Sequence, residues 1–96
     1  MNASIKAQWL AALRGKEYKQ GRNQLHHTDD NTFCCLGVLC DIQSPAGRGT
    51  WYGAMGFPPP ELRAGLFMGD CGRLSRLNDV ERKSFREIAD YVEANF

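Results

Sequence analysis

The sequence predicts a small α+β domain in which three to four helices surround one buried central helix, with a short β-hairpin and an irregular loop rich in glycine and proline. The first observation is a largely apolar run from Phe33 to Ile42 in which Asp41 is the one charged residue. The others are helical apolar stripes at both ends of the chain and a stretch from Gln43 to Pro60 that follows no period. The apolar run is too short to span a bilayer, which needs about 20 apolar residues, so it predicts a buried element.

This apolar run is best interpreted as a helix that is packed on both sides. At helical spacing one face holds Cys35, Leu36, Leu39 and Cys40, and the other holds Val38 and Ile42. A helix that is apolar nearly all round is buried. Gly37 weakens such a helix, which indicates that a neighbouring backbone approaches it closely. A buried strand stays open as an alternative, because periodicity alone does not separate short buried helices from short buried strands.

The two ends of the chain predict amphipathic helices. Asn2 or Ser4 would cap the first, and Gly15 would end it. Its apolar stripe is Ile5, Trp9, Ala12 and Leu13, with Trp9 as a core anchor. Ser84 and Glu87 form a capping-box pattern for the last helix. Its stripe is Phe85, Ile88, Ala89, Val92 and Phe96.

The segments between the helices are rich in polar residues, glycine and proline. Residues 22–28 and 31–34 predict a short irregular hairpin around the turn at 29–31. Residues 43–60 predict a long loop, in which Thr50-Trp51-Tyr52 is a candidate short strand. Glu61 to about Leu66 predicts a short helix after the prolines. The glycines in residues 69–72 predict a turn that leads into residues 74–79.

Composition restricts the class of protein. With 96 residues, the chain predicts one domain covering residues 1–96. A formal net charge of +1 disfavours nucleic acid as the partner and gives no general attraction to an anionic membrane. The N-terminus lacks the pattern of a secretory signal, and no segment is long enough for a membrane anchor. We therefore expect a cytoplasmic protein without membrane contact.

The four cysteines are expected to be buried structural thiols. A zinc site is an alternative that Cys34, Cys35, Cys40 and Cys71 raise together with His26 and His27. Four residues separate Cys35 from Cys40, which is the upper end of the usual spacing of paired zinc ligands, and Cys34 would point elsewhere on a helix. Cysteine catalysis would need a thiolate, which burial opposes. We predict no metal, no cofactor and no catalytic residue, so the chain is not expected to be an enzyme.

One cluster of donors and rings is a candidate ligand-binding site. Its members are Tyr18, Lys19, Gln20, Arg22, Trp51 and Tyr52. Arginine makes bidentate contacts to phosphate, and aromatic rings stack on bases. The alternative is that Lys19 and Arg22 are solvated hairpin charges while Trp51 closes the core under the loop.

Several motifs resemble those of a group of small uncharacterised proteins of tailed phages and prophages. The most specific is Phe-Cys-Cys-Leu-Gly-Val-Leu-Cys-Asp at residues 33–41. The others are Trp9 to Gly15, Tyr18 to Gly21, Leu77 to Asp79, and Ser84 to Tyr91. The motifs carry no established chemistry, so the resemblance assigns no catalytic residue.

A phage setting implies an accessory protein that blocks the immunity of the bacterial host cell. We expect it to sequester a nucleotide-derived immune signal without catalysis, with a site that forms between two copies of the chain. One alternative is an inhibitor that docks on a host defence protein through Trp51, Met55 and Phe57. A small zinc-binding or nucleic-acid-binding module is the remaining alternative.

Overall fold

The computed structural model describes residues 1–44 and 57–96, which contain four α-helices and a small sheet. The helices are α1 (Ala3–Arg14), α2 (Cys35–Gln43), α3 (Met68–Asp79) and α4 (Phe85–Asn95). The strands are β1 (Lys19–Gln20), β2 (His26–His27) and β3 (Thr32–Phe33), and one 3₁₀ turn covers Pro60–Leu62. The predicted class, a small α+β domain, is confirmed.

Helices α1 and α4 begin at the predicted capping residues. The Asn2 side chain accepts a hydrogen bond from the backbone N–H of Ile5 at 2.9 Å. Ser84 and Glu87 form the reciprocal capping box, with distances of 3.0 and 3.1 Å. Such caps satisfy backbone donors that have no partner within the helix. The two helices pack on each other through the faces that carry their apolar stripes.

The central helix begins at Cys35, two residues after the start of the apolar run. Phe33 belongs to β3, and Cys34 is the N-cap, whose sulfur accepts from the Gly37 N–H at 3.4 Å. The helix that begins at Cys35 is buried from there to Asp41. The helical interpretation is therefore confirmed for most of the run, and it is wrong for Phe33, which pairs with neighbouring strands.

Helix α3 is the largest error of the sequence analysis, which predicted a glycine turn at residues 69–72. Asp70 accepts from the Phe67 N–H at 2.9 Å and stabilises the first turn of this helix. Its buried side chains are Cys71, Leu74, Leu77 and Asn78. Burial of this stripe outweighs the low helix propensity of Gly69 and Gly72. The main helical neighbours of α2 are α1 and α3, and α4 packs on those two.

The predicted hairpin is present, and a third strand extends it. Strands β2 and β3 pair antiparallel, with His26 opposite Phe33. Strand β1 lies on the other side of β3 and pairs with it in parallel, giving the order β1-β3-β2. A two-residue strand carries too little periodicity to be recognised from sequence, so β1 was not predicted.

Gly37 is the point where the sheet segment rests on α2. The backbone N–H of Cys34 donates to the carbonyl oxygen of Leu25 at 3.3 Å. A Cβ atom at residue 37 would overlap with that same carbonyl group. The close backbone approach inferred from Gly37 is therefore confirmed, and Leu25 is the neighbour.

The segment that follows the long loop is less helical than predicted. In place of a helix from 61 to 66, a single 3₁₀ turn ends at Leu62. Ala64 and Gly65 have φ angles of 52° and 90°, which no right-handed helix allows. The predicted strand at residues 50–52 and most of the predicted loop lie outside the described residues. Within residues 1–44 and 57–96, no helix has the length and apolar character needed to cross a membrane.

Candidate functional site

The small sheet divides the candidate ligand residues between two faces. Lys19, Thr32 and His27 lie opposite one another across the three strands. The next row is Gln20, Phe33 and His26. Successive residues of a strand point to opposite faces, so the two rows face opposite ways. Phe33 and His26 of the second row are buried, whereas in the first row Thr32 is buried but Lys19 is exposed and His27 is half-buried, so the second row faces the core.

Tyr18 and Gln20 make hydrogen bonds within the protein. The Tyr18 hydroxyl donates to the Asp41 carboxylate at 2.6 Å, and its ring lies edge-on against Phe33 at 5.0 Å. The Gln20 amide nitrogen donates to the Asn78 side-chain oxygen and to the Lys83 carbonyl oxygen, each at 2.9 Å. Both side chains therefore join β1 to the helices.

Asn78 is the centre of a buried polar network. Its side-chain oxygen accepts from Gln20 at 2.9 Å and from the Cys35 N–H at 3.2 Å. Its side-chain nitrogen donates to the Gly21 carbonyl at 2.9 Å and to Asp79 at 2.7 Å. These four bonds use the full capacity of an amide side chain. A fully buried polar residue is tolerated when its hydrogen bonds are satisfied in this way.

The same network joins three separate sequence motifs of this chain. Asp79 also accepts from the Asn23 N–H at 3.0 Å, so it fixes the end of the segment that begins at Tyr18. The motifs at residues 18–21, 33–41 and 77–79 therefore meet at Asn78 and Asp79. Their most direct role is structural, because each contributes a partner to one set of hydrogen bonds.

Of the four candidate ligand residues that the structure describes, Lys19 and Arg22 are the two whose side chains take part in none of the described hydrogen bonds. Lys19 is exposed on the outer row. Arg22 is half-buried, and its Nε is shielded from solvent without a hydrogen-bond partner among the described residues. His27 Nε2 donates to the Arg22 carbonyl oxygen, which holds the backbone of this residue in place. A shielded guanidinium donor without an acceptor costs free energy that a bound anion would recover.

Asp30 places a negative charge beside these cations. Its carboxylate accepts from the Thr32 hydroxyl at 2.8 Å and from the Thr32 N–H at 3.2 Å. The hydrogen bond from the Thr32 side chain lowers the pKa of Asp30, and the charges of His27 and Lys19 lower it further. Asp30 therefore stays ionised and opposes anions at the outer row. Sequence analysis missed His27 and Asp30 as neighbours of Lys19, because the strand pairing brings them together.

The four thiols are buried as predicted and are held in the protonated form. Burial raises the pKa of Cys34 and of Cys40 to about 12. It also raises the pKa of Cys35 and Cys71. A protonated thiol is a poor nucleophile and a poor metal ligand. The residues that the structure describes bring no three metal-ligating side chains into one group.

Trp51 and Tyr52 lie outside the described residues, as does Met55 of the alternative docking surface. Phe57, the remaining residue of that surface, is half-buried and packs against the core. The described part of the chain encloses no pocket. Large exposed apolar side chains occur instead at Phe67, Met68 and Val80.

Comparison with known proteins gives a match to a family model and none to the other two kinds of protein compared. No curated protein and no solved structure matches the chain. A family model described as "Domain of unknown function (DUF8296)" matches residues 1–57, which include α1, the sheet and α2. The matched part covers more than half of the sequence and contains Gly37 with its contact Leu25. The chain therefore belongs to the DUF8296 family of domains of unknown function.

Proposed function

We propose that this chain is a phage-encoded accessory protein that captures a phosphate-bearing, nucleotide-derived signal of host immunity and leaves it intact. The observation that carries the proposal is the Arg22 guanidinium, whose Nε is shielded and has no acceptor among the described residues. A phosphate oxygen is a good acceptor for such a donor, because the bond is assisted by charge. The phage setting comes from the motif resemblance.

Lys19 supplies the second cation of the proposed site. It lies on β1, three residues before Arg22, and is exposed. Trp51 and Tyr52, beyond the described residues, supply the aromatic faces for the base in this proposal. Tyr18 and Gln20 act indirectly, because their inward hydrogen bonds hold β1 in position.

Capture without turnover agrees with the chemistry of the thiols. Burial holds all four in the protonated form, so they do not supply a nucleophile. Tight capture with a Kd near nanomolar requires about −12 kcal/mol, and small-molecule sites of that kind are usually concave. Since the described residues enclose no pocket, we place the ligand between two copies of the chain, as expected for a small homo-oligomer.

The direct test is to identify what the protein retains. Purified protein is incubated with extract of infected, immune-competent bacteria, washed and denatured, and the released small molecules are identified by mass spectrometry. We expect an unmodified phosphate-bearing nucleotide. Its absence, together with full protection of the phage by the Arg22→Ala variant, would contradict the proposal and favour an inhibitor that docks on a host protein.

Charge variants then test the site itself. Arg22→Lys keeps the charge but removes the planar fork, so we expect weaker binding of the released nucleotide in calorimetry. Asp30→Asn removes the negative charge beside Lys19 and His27 and should tighten binding. Lys16→Ala removes an exposed cation away from the sheet and is the control. If all of these variants bound the nucleotide with equal affinity, the result would contradict a binding site at Arg22 and Lys19.

A further inference from the structure

Residues 80–86 comprise the turn between α3 and α4 and the first two residues of α4, and here the acidic side chains have internal partners while the basic ones form no ion pair among the described residues. Asp79, at the end of α3, accepts from Asn23, Ser75 and Asn78. Glu81 binds Arg76 at 3.3 Å and Arg73 at 3.7 Å. Glu87 closes the capping box. The acidic side chains in and around the turn are thus occupied by internal contacts.

The basic side chains of this segment are less engaged, although the charge of Lys83 contributes to the lowered pKa of Glu87. Arg82, Lys83 and Arg86 form no ion pair within the described parts of the chain, and Arg82 and Arg86 are exposed. They also lie at the start of α4, where the helix dipole disfavours cations. Their positions therefore do not serve the stability of this helix.

Arg82 occupies a backbone conformation that usually belongs to glycine. Its φ angle is 55°, in the left-handed region that disfavours side chains with a Cβ. Glycine is the common residue where a helix ends in this conformation. A non-glycine residue held in such a conformation is a reason to look for a function of its side chain.

Val80 adds an apolar contact to the same turn. Its side chain is 68% exposed, although it directly follows a helix whose other large aliphatic residues, Leu74 and Leu77, are buried. Val80, Arg82, Lys83 and Arg86 lie within seven successive residues and are called the basic turn below; Val80, Arg82 and Arg86 are exposed, and Lys83 is half-buried.

We propose that the basic turn is a docking surface for an acidic segment of a partner protein, one that carries an apolar side chain between carboxylates. The unpaired cations provide the charge complementarity, and Val80 provides the apolar contact. Nucleic acid fits less well, because phosphate contacts make no use of Val80 and the chain carries a net charge of only +1. This interaction is separate from ligand capture, since neither Lys19 nor Arg22 belongs to the basic turn.

The test is a titration of the ¹⁵N-labelled protein with a capped pentapeptide that has leucine between two pairs of glutamates. We expect amide shifts centred on residues 80–86 and no comparable shifts with the peptide in which glutamine replaces glutamate. A thymidine oligonucleotide serves as the nucleic-acid probe. Shifts centred elsewhere, or none with the acidic peptide, would overturn the proposal.

Variants separate binding from folding at this surface. Arg82→Gly relieves the left-handed conformation, so its melting temperature should stay the same or rise while peptide affinity falls about five- to tenfold. Ala64→Gly relieves the φ angle of 52° at another site and should leave affinity unchanged. Val80→Ser should weaken peptide binding, and Lys16→Ala should not.

Two results would decide against a protein partner. Unchanged peptide affinity in both Arg82→Gly and Val80→Ser would exclude the basic turn as the docking surface. Tighter binding of the oligonucleotide than of the peptide, with steep salt dependence and no effect of Val80→Ser, would assign the turn to nucleic acid instead.

Discussion

Two sets of side chains from the segment at residues 18–22 behave in opposite ways. Tyr18 and Gln20 point inward and donate hydrogen bonds to Asp41 and Asn78. Lys19 is exposed, and Arg22 keeps a shielded Nε without an acceptor among the described residues. Neighbouring polar residues can therefore have different roles: alternation along β1 separates Lys19 from Gln20, while Arg22 lies beyond the end of this strand.

The largest effect is expected from a substitution at Gly37, where the sheet segment rests on α2. Gly37→Ala places a Cβ onto the Leu25 carbonyl, so the sheet must move away from α2, and we expect a loss of about 3 kcal/mol or more in the free energy of unfolding. Gly69→Ala is the matched control, because no atom lies within 4 Å of its added Cβ. As a helix residue it should gain about 0.5–1 kcal/mol. Urea denaturation measures both, and equal effects would disprove the close contact.

Asn78→Ala is expected to have the next largest effect. It leaves the Cys35 N–H, the Gly21 carbonyl and the Gln20 amide without a shared partner, and each buried unsatisfied group costs about 1–3 kcal/mol. We expect a loss of about 3 kcal/mol, with about 1 kcal/mol for Gln20→Ala. A double-mutant cycle by urea denaturation should show that the two losses are not additive. Additive losses would mean that the network does not act as a unit.

Comparing Tyr18→Phe with Lys19→Ala tests the difference between the inward and the outward side chains directly. Tyr18→Phe removes the hydrogen bond to the buried Asp41 and should cost about 1–2 kcal/mol. Lys19→Ala changes an exposed side chain and should stay within about 0.5 kcal/mol. Thermal unfolding by circular dichroism gives both values. A larger loss of stability for Lys19→Ala than for Tyr18→Phe would contradict the conclusion that Tyr18 points inward and Lys19 points outward.

The smallest effect is a pH dependence at the α4 cap, away from the sheet. The hydrogen bond from the Ser84 N–H lowers the pKa of Glu87 below its ordinary value of 4.5. A lowered pKa in the folded state gives stabilisation that is complete above the unfolded pKa and is lost as the pH falls through the folded one. The stability advantage of the native protein over Glu87→Gln should therefore shrink as the solution is acidified below 4.5. A difference that does not change with pH would show that the charge of Glu87 has no role.

Several elements could be predicted because their signals are local. Asn2, Ser84 and Glu87 cap helices through contacts three residues away, and such spacing is visible in the sequence. The apolar run predicted a buried helix, since the residues that follow Cys34 have no polar face. Gly37 predicted a close backbone contact, although not that Leu25 would make it.

Helix α3 was missed because its stability depends on tertiary contacts. Gly69 and Gly72 lower its local propensity, and only burial of Cys71, Leu74 and Leu77 against neighbouring helices offsets that cost. A spacing of three residues between these apolar positions was the available signal.

By itself, the sequence determined the α+β class, the ends of the first and last helices and the burial of the thiols, because capping and apolar periodicity act over a few residues. Only the tertiary structure decided that β1 pairs in parallel with β3 and that Gln20 meets Asn78, 58 residues further along the chain. A hydrogen bond between distant residues produces no periodic pattern in the sequence of either segment. For that reason the side chains that hold the fold and those that are available to a ligand became distinguishable only after the chain was folded.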